Sequence, residues 1–274
     1  MAGTLYVVGT PIGNLSDFSP RAAQTLQDVD FIAAEDTRVT QKLLNHFQIK
    51  KPMVSYYQHN LRERGEVILS RIEAGENCAV VTDAGMPCIS DPGEDLVFLC
   101  AERGISTVVI PGPSAAISAL AISGLPTSRF SFEGFLSTNH KNRMEHLRQI
   151  AGDRHTLIFY EAPHKLVYTL QDMLEVLGDR RIALCRELTK LHEEVIRTTF
   201  SGALEQYREK SPRGEYVLIV EGAPESETAP LSLAEAVEQV KALRASGLPV
   251  SEAARQVAKE TGYKKGELYR LALE

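Results

Sequence analysis

The sequence contains no apolar run long enough to cross a bilayer, and its N-terminus lacks a basic region followed by an apolar signal-type core. A cytoplasmic chain with no membrane attachment is the expectation. Cysteine is scarce. Cys78, Cys88, Cys100 and Cys185 form no C-x-x-C pair, which argues against a zinc site or a disulfide framework and leaves them as small buried hydrophobes. Positive charge is also short: the net charge of −6 argues against a surface coated for nucleic-acid binding. Only residues 241–274 reverse the sign, with 7 Lys+Arg against 4 Asp+Glu. Two phosphate signatures are missing as well. No G-x-x-x-x-G-K-[ST] occurs, and the first glycine-bearing loop reads GTPIGN rather than G-x-G-x-x-G, so P-loop and dinucleotide sites are disfavoured.

What the sequence does have is 274 residues, 43% of them hydrophobic, enough for more than one domain. In the first half, short β-rich runs (TLYVVG, DFIAA, PMVSYY, CAVVT, STVVIP) alternate with stretches carrying apolar residues at i, i+3 and i+4. That alternation predicts βαβαβ with a mainly parallel sheet, an α/β fold. Turn residues cluster around SGLPTSRFSFEGFL and place a boundary near residue 125. The later strands RHTLIFYE, RRIALCRE, EEVIRTTF and GEYVLIVEG lie close together, as hairpins in a mixed sheet do. The expected division is an α/β domain over 1–125, a second over 126–224 and a helical tail over 230–274. In the tail, Ser232 and Glu235 form a capping box, and Val250, Ala253, Ala254, Val257 and Ala258 make one apolar stripe. The tail reads either as a helix-turn-helix or as a small bundle packed on the body.

Ligands of open parallel sheets bind outside the carboxyl ends of the strands. Here those ends carry Thr10 to Asn14, Glu35 to Arg38, Gln58 to Asn60, the stretch TDAGMPCISDPG, and Pro111 to Ala115. Parallel strands would gather all five loops at one edge. Asp83 and Asp91 would repel a pyrophosphate. Acidic Gly/Pro turns suit a ligand with hydroxyls, an amine or a positive centre, and S-adenosylmethionine is one candidate among several.

The motifs LYVVGTPIGNLSD, AAEDTR, VTDAGMPCISDPG, PGPSAAISAL, FEGFL, FYEAPHKL, CRELTKLHEEV and GEYVLIVEG occur in that order. Together they resemble the tetrapyrrole-methylase-type S-adenosylmethionine (SAM) enzymes over nearly the whole chain. The form D-A-G-x-P-x-I-S-D-P-G, in place of G-D-P, is similar to the ribosomal RNA branch of that family. The resemblance implies two α/β domains with SAM in the cleft between them, and a homodimer. It also implies methylation of the ribose 2′-oxygen of a cytidine in the decoding centre of small-subunit (16S) ribosomal RNA, with no metal. Carried over by position, donor contacts fall at Pro11, Asp83, Ala84, Gly85, Ile89, Ser114 and Ala115, with Tyr160, Glu161 and Leu188 closing the site from the second domain.

A ribose hydroxyl is a poor nucleophile until its proton leaves, so a general base is expected. Glu35, Arg38, His59 and Lys190 are the catalytic candidates, among the cleft-edge residues that also include Asp36, Asn60 and Glu161. His59 has the right ordinary pKa range; a helix-capping or surface histidine is the alternative. Glu35 to Arg38 also reads as an acidic helix start with Arg38 paired to a carboxylate. Lys190 is a phosphate contact or a solvated lysine. Lys141, Arg143 and Arg148, with Lys264, Lys265 and Arg270 of the tail, are candidate RNA contacts or solvated helix faces. Two other functions fit the residues less closely: a SAM-dependent methylase of a tetrapyrrole or other small molecule, and a nucleic-acid-binding regulator with a ligand-sensing α/β body.

Overall fold

Five short apolar segments build the first sheet: β1 (Thr4–Val8), β2 (Phe31–Ala34), β3 (Met53–Ser55), β4 (Cys78–Val81) and β5 (Ser106–Ile110). They run parallel in the order β3-β2-β4-β1-β5. β2 and β4 are buried at every position, and so they read as continuous apolar runs rather than as alternation. The computed structural model describes residues 1–57, 61–224 and 231–273. His59 and Asn60 therefore lie outside the described residues.

Parallel neighbours need crossover connections, supplied here by α1 (Pro20–Asp28), α2 (Thr37–His46), α3 (Leu61–Glu73) and α4 (Glu94–Glu102). Their starts follow local chemistry. Ser19 caps α1 by accepting from the Ala22 amide, with Pro20 in the first turn, and Asp36 caps α2 by accepting from the Arg38 amide. One core layer gathers Leu5, Phe31, Ile68, Ile72 and Leu96. The other gathers Val8, Leu26, Ile32, Leu44 and Val81.

The second sheet is mixed: β6 (Phe130–Phe135), β7 (Thr156–Glu161), β8 (Arg181–Arg186), β9 (Glu194–Thr199) and β10 (Tyr216–Val220), in the order β6-β7-β10-β8-β9. Only the β6–β7 pair is parallel. α5 (Ala115–Ser123), which follows β5, packs Ala116, Ala119 and Leu120 against Ile158, Ala183 and Ile219 of this sheet. Its opposite face is covered by α6 (His140–Ile150), α7 (Leu166–Leu177) and α8 (Phe200–Gln206), where Leu147, Leu170 and Phe200 pack with Phe159, Leu184 and Leu218. The strand β6 lies inside the turn-rich stretch read above as a boundary. Its register shifts between Phe132 and Gly134, which breaks the alternation by which a strand is recognised.

Residues Pro224–Glu274 form a unit separate from Met1–Ala223. α9 (Leu233–Ala245), α10 (Val250–Thr261) and α11 (Lys265–Leu271) enclose Ala236, Val240, Ala253, Ala254, Val257 and Leu268. The Ser232–Glu235 capping box is formed, and α10 ends at Gly262 in the left-handed conformation (φ 78°). Among the described residues no helix is long and apolar enough to cross a membrane.

Candidate active site

The loops after β1, β2, β4 and β5 open onto one cavity of about 560 Å³, within the range of small-molecule sites. The second sheet closes it with Tyr160 and Glu161 from the end of β7, Cys185 from β8, Leu188 and Lys190 beyond β8, and Tyr216 and Val217 from β10.

The loop after β4 turns hard: Gly85, Cys88, Ser90 and Gly93 all have positive φ. At Gly93 (φ 130°) an added Cβ would lie 2.7 Å from Cys88 Sγ, so glycine is required. Reciprocal amide bonds between Thr10 and Gly85, of 2.9 and 3.2 Å, tie this loop to the one after β1. So folded, it presents Thr82, Asp83 and Asp91 to the cavity.

Glu35, at the end of β2, anchors it. Its Oε2 accepts from the Thr82 hydroxyl at 2.5 Å and the Asp83 amide at 3.3 Å, while Asp83 Oδ1 accepts from the Asp36 amide at 3.2 Å. Three carboxylates thereby share one wall. Partial desolvation at the wall first, and the Glu35 charge second, push the carboxyl of the exposed Asp83 above its ordinary range, and the same causes raise the half-buried Asp91 to about 6.

Lys190 Nζ donates to Glu187 Oε1 at 2.9 Å and to Glu215 Oε2 at 2.8 Å. Burial opposes its charge, but the bonds to Glu215 and Glu187 outweigh that and hold the ammonium above its ordinary pKa. Glu161 is buried and internally satisfied: it accepts from the Thr169 hydroxyl at 2.5 Å and the Ala162 amide at 2.8 Å. The Tyr160 hydroxyl accepts from the Ala116 amide at 3.3 Å at the start of α5, and its ring packs against Phe132 and Phe135.

Of the residues singled out from sequence, Glu35, Asp83, Ala84, Gly85, Ile89, Ser114, Ala115, Tyr160, Glu161, Leu188 and Lys190 line this cavity. Pro11 does not, although its neighbour Ile12 does. Arg38 also stands apart from the lining: its side chain is 87% exposed and pairs with Asp36 at 2.6 Å, which holds the Asp36 carboxyl down at about 2. Arg143 is turned inward, bonded to Asp172 at 2.6 Å and to the Ser137 carbonyl, so it is not open to a phosphate. Lys141 and Arg148 remain exposed. Sequence reasoning passed over Thr82, Glu187, Glu215 and Tyr216 as site residues. Only the pairing of β8 with β10, which sets Arg186 opposite Tyr216, brings Glu187 and Glu215 together.

Six carboxylates line the cavity, from Glu35, Asp83, Asp91, Glu161, Glu187 and Glu215, and Lys190 is the one lysine or arginine among the described lining residues. Such a wall repels polyphosphates and attracts a ligand that carries hydroxyls and positive charge. Apolar side chains, among them Ile12, Met86, Leu188 and Val217, supply surface for a planar base. The lining therefore suits a nucleoside-type ligand that carries positive charge. Among the described residues no group of three His, Cys, Asp or Glu side chains is placed to hold a metal ion.

Residues 4–203 match the family of tetrapyrrole (corrin/porphyrin) methylases, and residues 232–274 match the RsmI C-terminal HTH domain. A Synechocystis protein named ribosomal RNA small subunit methyltransferase I is 48% identical over 273 residues, covering 99% of this chain and 98% of its own. A Thermotoga maritima protein of the same name is 47% identical over 220 residues, which is 80% of this chain but 99% of the relative. The crystal structure of uroporphyrin-III-C-methyltransferase from Thermus thermophilus superposes with a TM-score of 0.56 over 79% of this chain and 94% of that one. At 17% identity that likeness speaks to fold alone.

Proposed function

The chain belongs to the tetrapyrrole (corrin/porphyrin) methylases, and on that premise we propose that it is a SAM-dependent methyltransferase of small-subunit ribosomal RNA, acting on the ribose 2′-oxygen of a cytidine in the decoding centre. The observation that carries this reading is the anionic, largely apolar cavity in which the one ammonium among the described lining residues is already held by two carboxylates. A nucleoside bearing a sulfonium suits that wall, and a nucleotide polyphosphate does not.

The bound donor supplies an activated methyl group, so the protein has to hold and align. Asp83 and its neighbours would accept from ribose hydroxyls or an amine. Ile12, Met86 and Leu188 would flank the base, and the amides at the start of α5, beside Ser114 and Ala115, would receive a carboxylate. Holding a hydroxyl in line with the methyl carbon is worth roughly 7–11 kcal/mol. Lys190, kept charged by Glu187 and Glu215, serves here as a clamp rather than as a base. Glu161, its oxygens already bonded to Thr169 and Ala162, braces the wall.

We place the enzyme in the cytoplasm as a homodimer. Apolar side chains left exposed on the edge strand β5 (Val109) and on the helices before and after it (Phe98, Ile117) support the dimer. The exposed cations of the tail support a role in holding RNA.

The test is to supply methyl-labelled SAM and small ribosomal subunits from cells lacking this gene, digest the RNA, and locate the label. Label on the ribose 2′-oxygen of a single cytidine is the expected result. Absence of label from a protein that binds SAM would favour a small-molecule substrate.

A further inference from the structure

Most polar side chains in the cavity wall are already committed to partners within the protein. Glu35 accepts from Thr82 and Asp83, Asp83 accepts from the Asp36 amide, Glu161 accepts from Thr169, and Glu187 and Glu215 hold Lys190. Asp91 differs. It is half-buried in the same wall, and the donor beside it is the Thr82 hydroxyl, which lowers its pKa somewhat but has a single hydrogen that lies 2.5 Å from Glu35 oxygen to oxygen and is at most shared. Its carboxylate thus keeps lone pairs free toward the cavity. The ionisable groups facing it are Glu35 at the end of β2, Asp83 and Cys88 in its own loop, and Tyr160 from β7 across the cavity. None of these is a cation.

We propose that Asp91 is the general base of the methyl transfer, an inference that rests on the methyltransferase reading above. Its carboxylate takes the proton of the ribose hydroxyl while that oxygen bonds to the methyl carbon. The carbon–sulfur bond of the sulfonium donor breaks, and its electron pair stays with sulfur. The products are a methyl ether, a neutral thioether and a protonated Asp91, which returns its proton to water. Burial and the charges of Glu35 and Asp83 raise this carboxyl to about 6, so it is ionised at neutral pH yet more basic than an ordinary aspartate. Protonating it also relieves the crowding of three carboxylates. Glu35 and Asp83 act through Asp91 and are positioning residues in this step.

The experiment measures kcat and kcat/KM against pH on small ribosomal subunits for the wild type, Asp91→Asn, Asp91→Glu and Glu35→Gln, alongside SAM binding by calorimetry. Wild-type kcat/KM, which reports the free enzyme, should rise with a midpoint near pH 6. Asp91→Asn should still bind SAM, weakened only by the loss of one of the wall's carboxylates, but lose roughly 10²–10⁴-fold in kcat and lose the pH-dependent limb. Asp91→Glu should recover part of the rate. Glu35→Gln removes a negative neighbour and should move the limb to lower pH; because it leaves Asp91 in place, an unmoved limb would overturn the assignment even if Asp91→Asn folds poorly. Wild-type kcat and an unchanged limb in Asp91→Asn would overturn the assignment, as would parallel loss of SAM binding and kcat, which would make Asp91 a donor ligand. A wild-type enzyme that labels no ribosomal RNA would instead overturn the methyltransferase reading before any variant is compared.

Discussion

Gly13, in the loop after β1, and Lys190, beyond β8, approach so closely that a Cβ on residue 13 would lie 2.4 Å from Lys190 Cγ. The approach joins a loop of the first sheet to a loop of the second at the cavity's rim. Gly13→Ala should push the Lys190 chain aside and disturb its bonds to Glu187 and Glu215. Overpacking of this kind costs about 1–3 kcal/mol, to be read as a lower denaturation midpoint, and SAM affinity should fall with it. A variant as stable as the wild type, with unaltered SAM binding, would mean that the lysine stem yields freely.

Lys190 also controls a pH effect. Bonds from the Glu215 amide and from Lys190 hold the Glu187 carboxyl below its ordinary range. A carboxyl depressed in the folded state adds stability that is present above its unfolded pKa and lost as pH falls through the folded value. Lys190→Met should therefore be less stable than the wild type at neutral pH, and the gap should narrow as pH drops below about 4. Thermal midpoints of both proteins across that range would check the sign; a gap that widens in acid would contradict it.

How much of the fold and site is legible in the sequence depends on the kind of strand involved. β2 and β4, buried on both faces, announce themselves as FIAA and CAVV, and their parallel order brings the acidic loops to one edge. β6 is hidden because an irregular register and flanking Gly, Pro and Ser mask its alternation. Asp83 and Asp91 stand out in their motif, but their competition with Glu35 is a product of the β2–β4 pairing, 47 residues apart at the Thr82–Glu35 bond. Glu187 and Glu215 lie in the motifs CRELTKLHEEV and GEYVLIVEG, but nothing local says that they meet. Their meeting depends on the antiparallel β8–β10 register, which no short motif encodes.

The buried Glu161 depends on one neighbour. Its side chain is nearly inaccessible, and one of its two oxygens takes the Thr169 hydroxyl at 2.5 Å. Thr169→Val keeps the shape but removes that donor, leaving a carboxylate oxygen unsatisfied at a cost of about 1–3 kcal/mol. Urea denaturation should show the midpoint lowered with an unchanged slope. Thr169→Ser, which retains the hydroxyl, should recover most of the loss.

In the tail, Lys264, Lys265 and Arg270 are exposed and have no ion-pair partner among the described residues, whereas Lys241 and Arg255 are paired to Glu238 and Glu252. Unpaired cations near one helix turn are suited to a phosphate backbone. Donor binding should accordingly be independent of these cations, and RNA affinity should not. The full-length variant Lys264→Gln, Lys265→Gln, Arg270→Gln should bind SAM with unchanged affinity. Its binding to small ribosomal subunits should weaken, with the log–log salt slope reduced by about one unit for each phosphate that is no longer neutralised. An unchanged slope would assign these side chains to solvent and return the work of holding RNA to the α/β body.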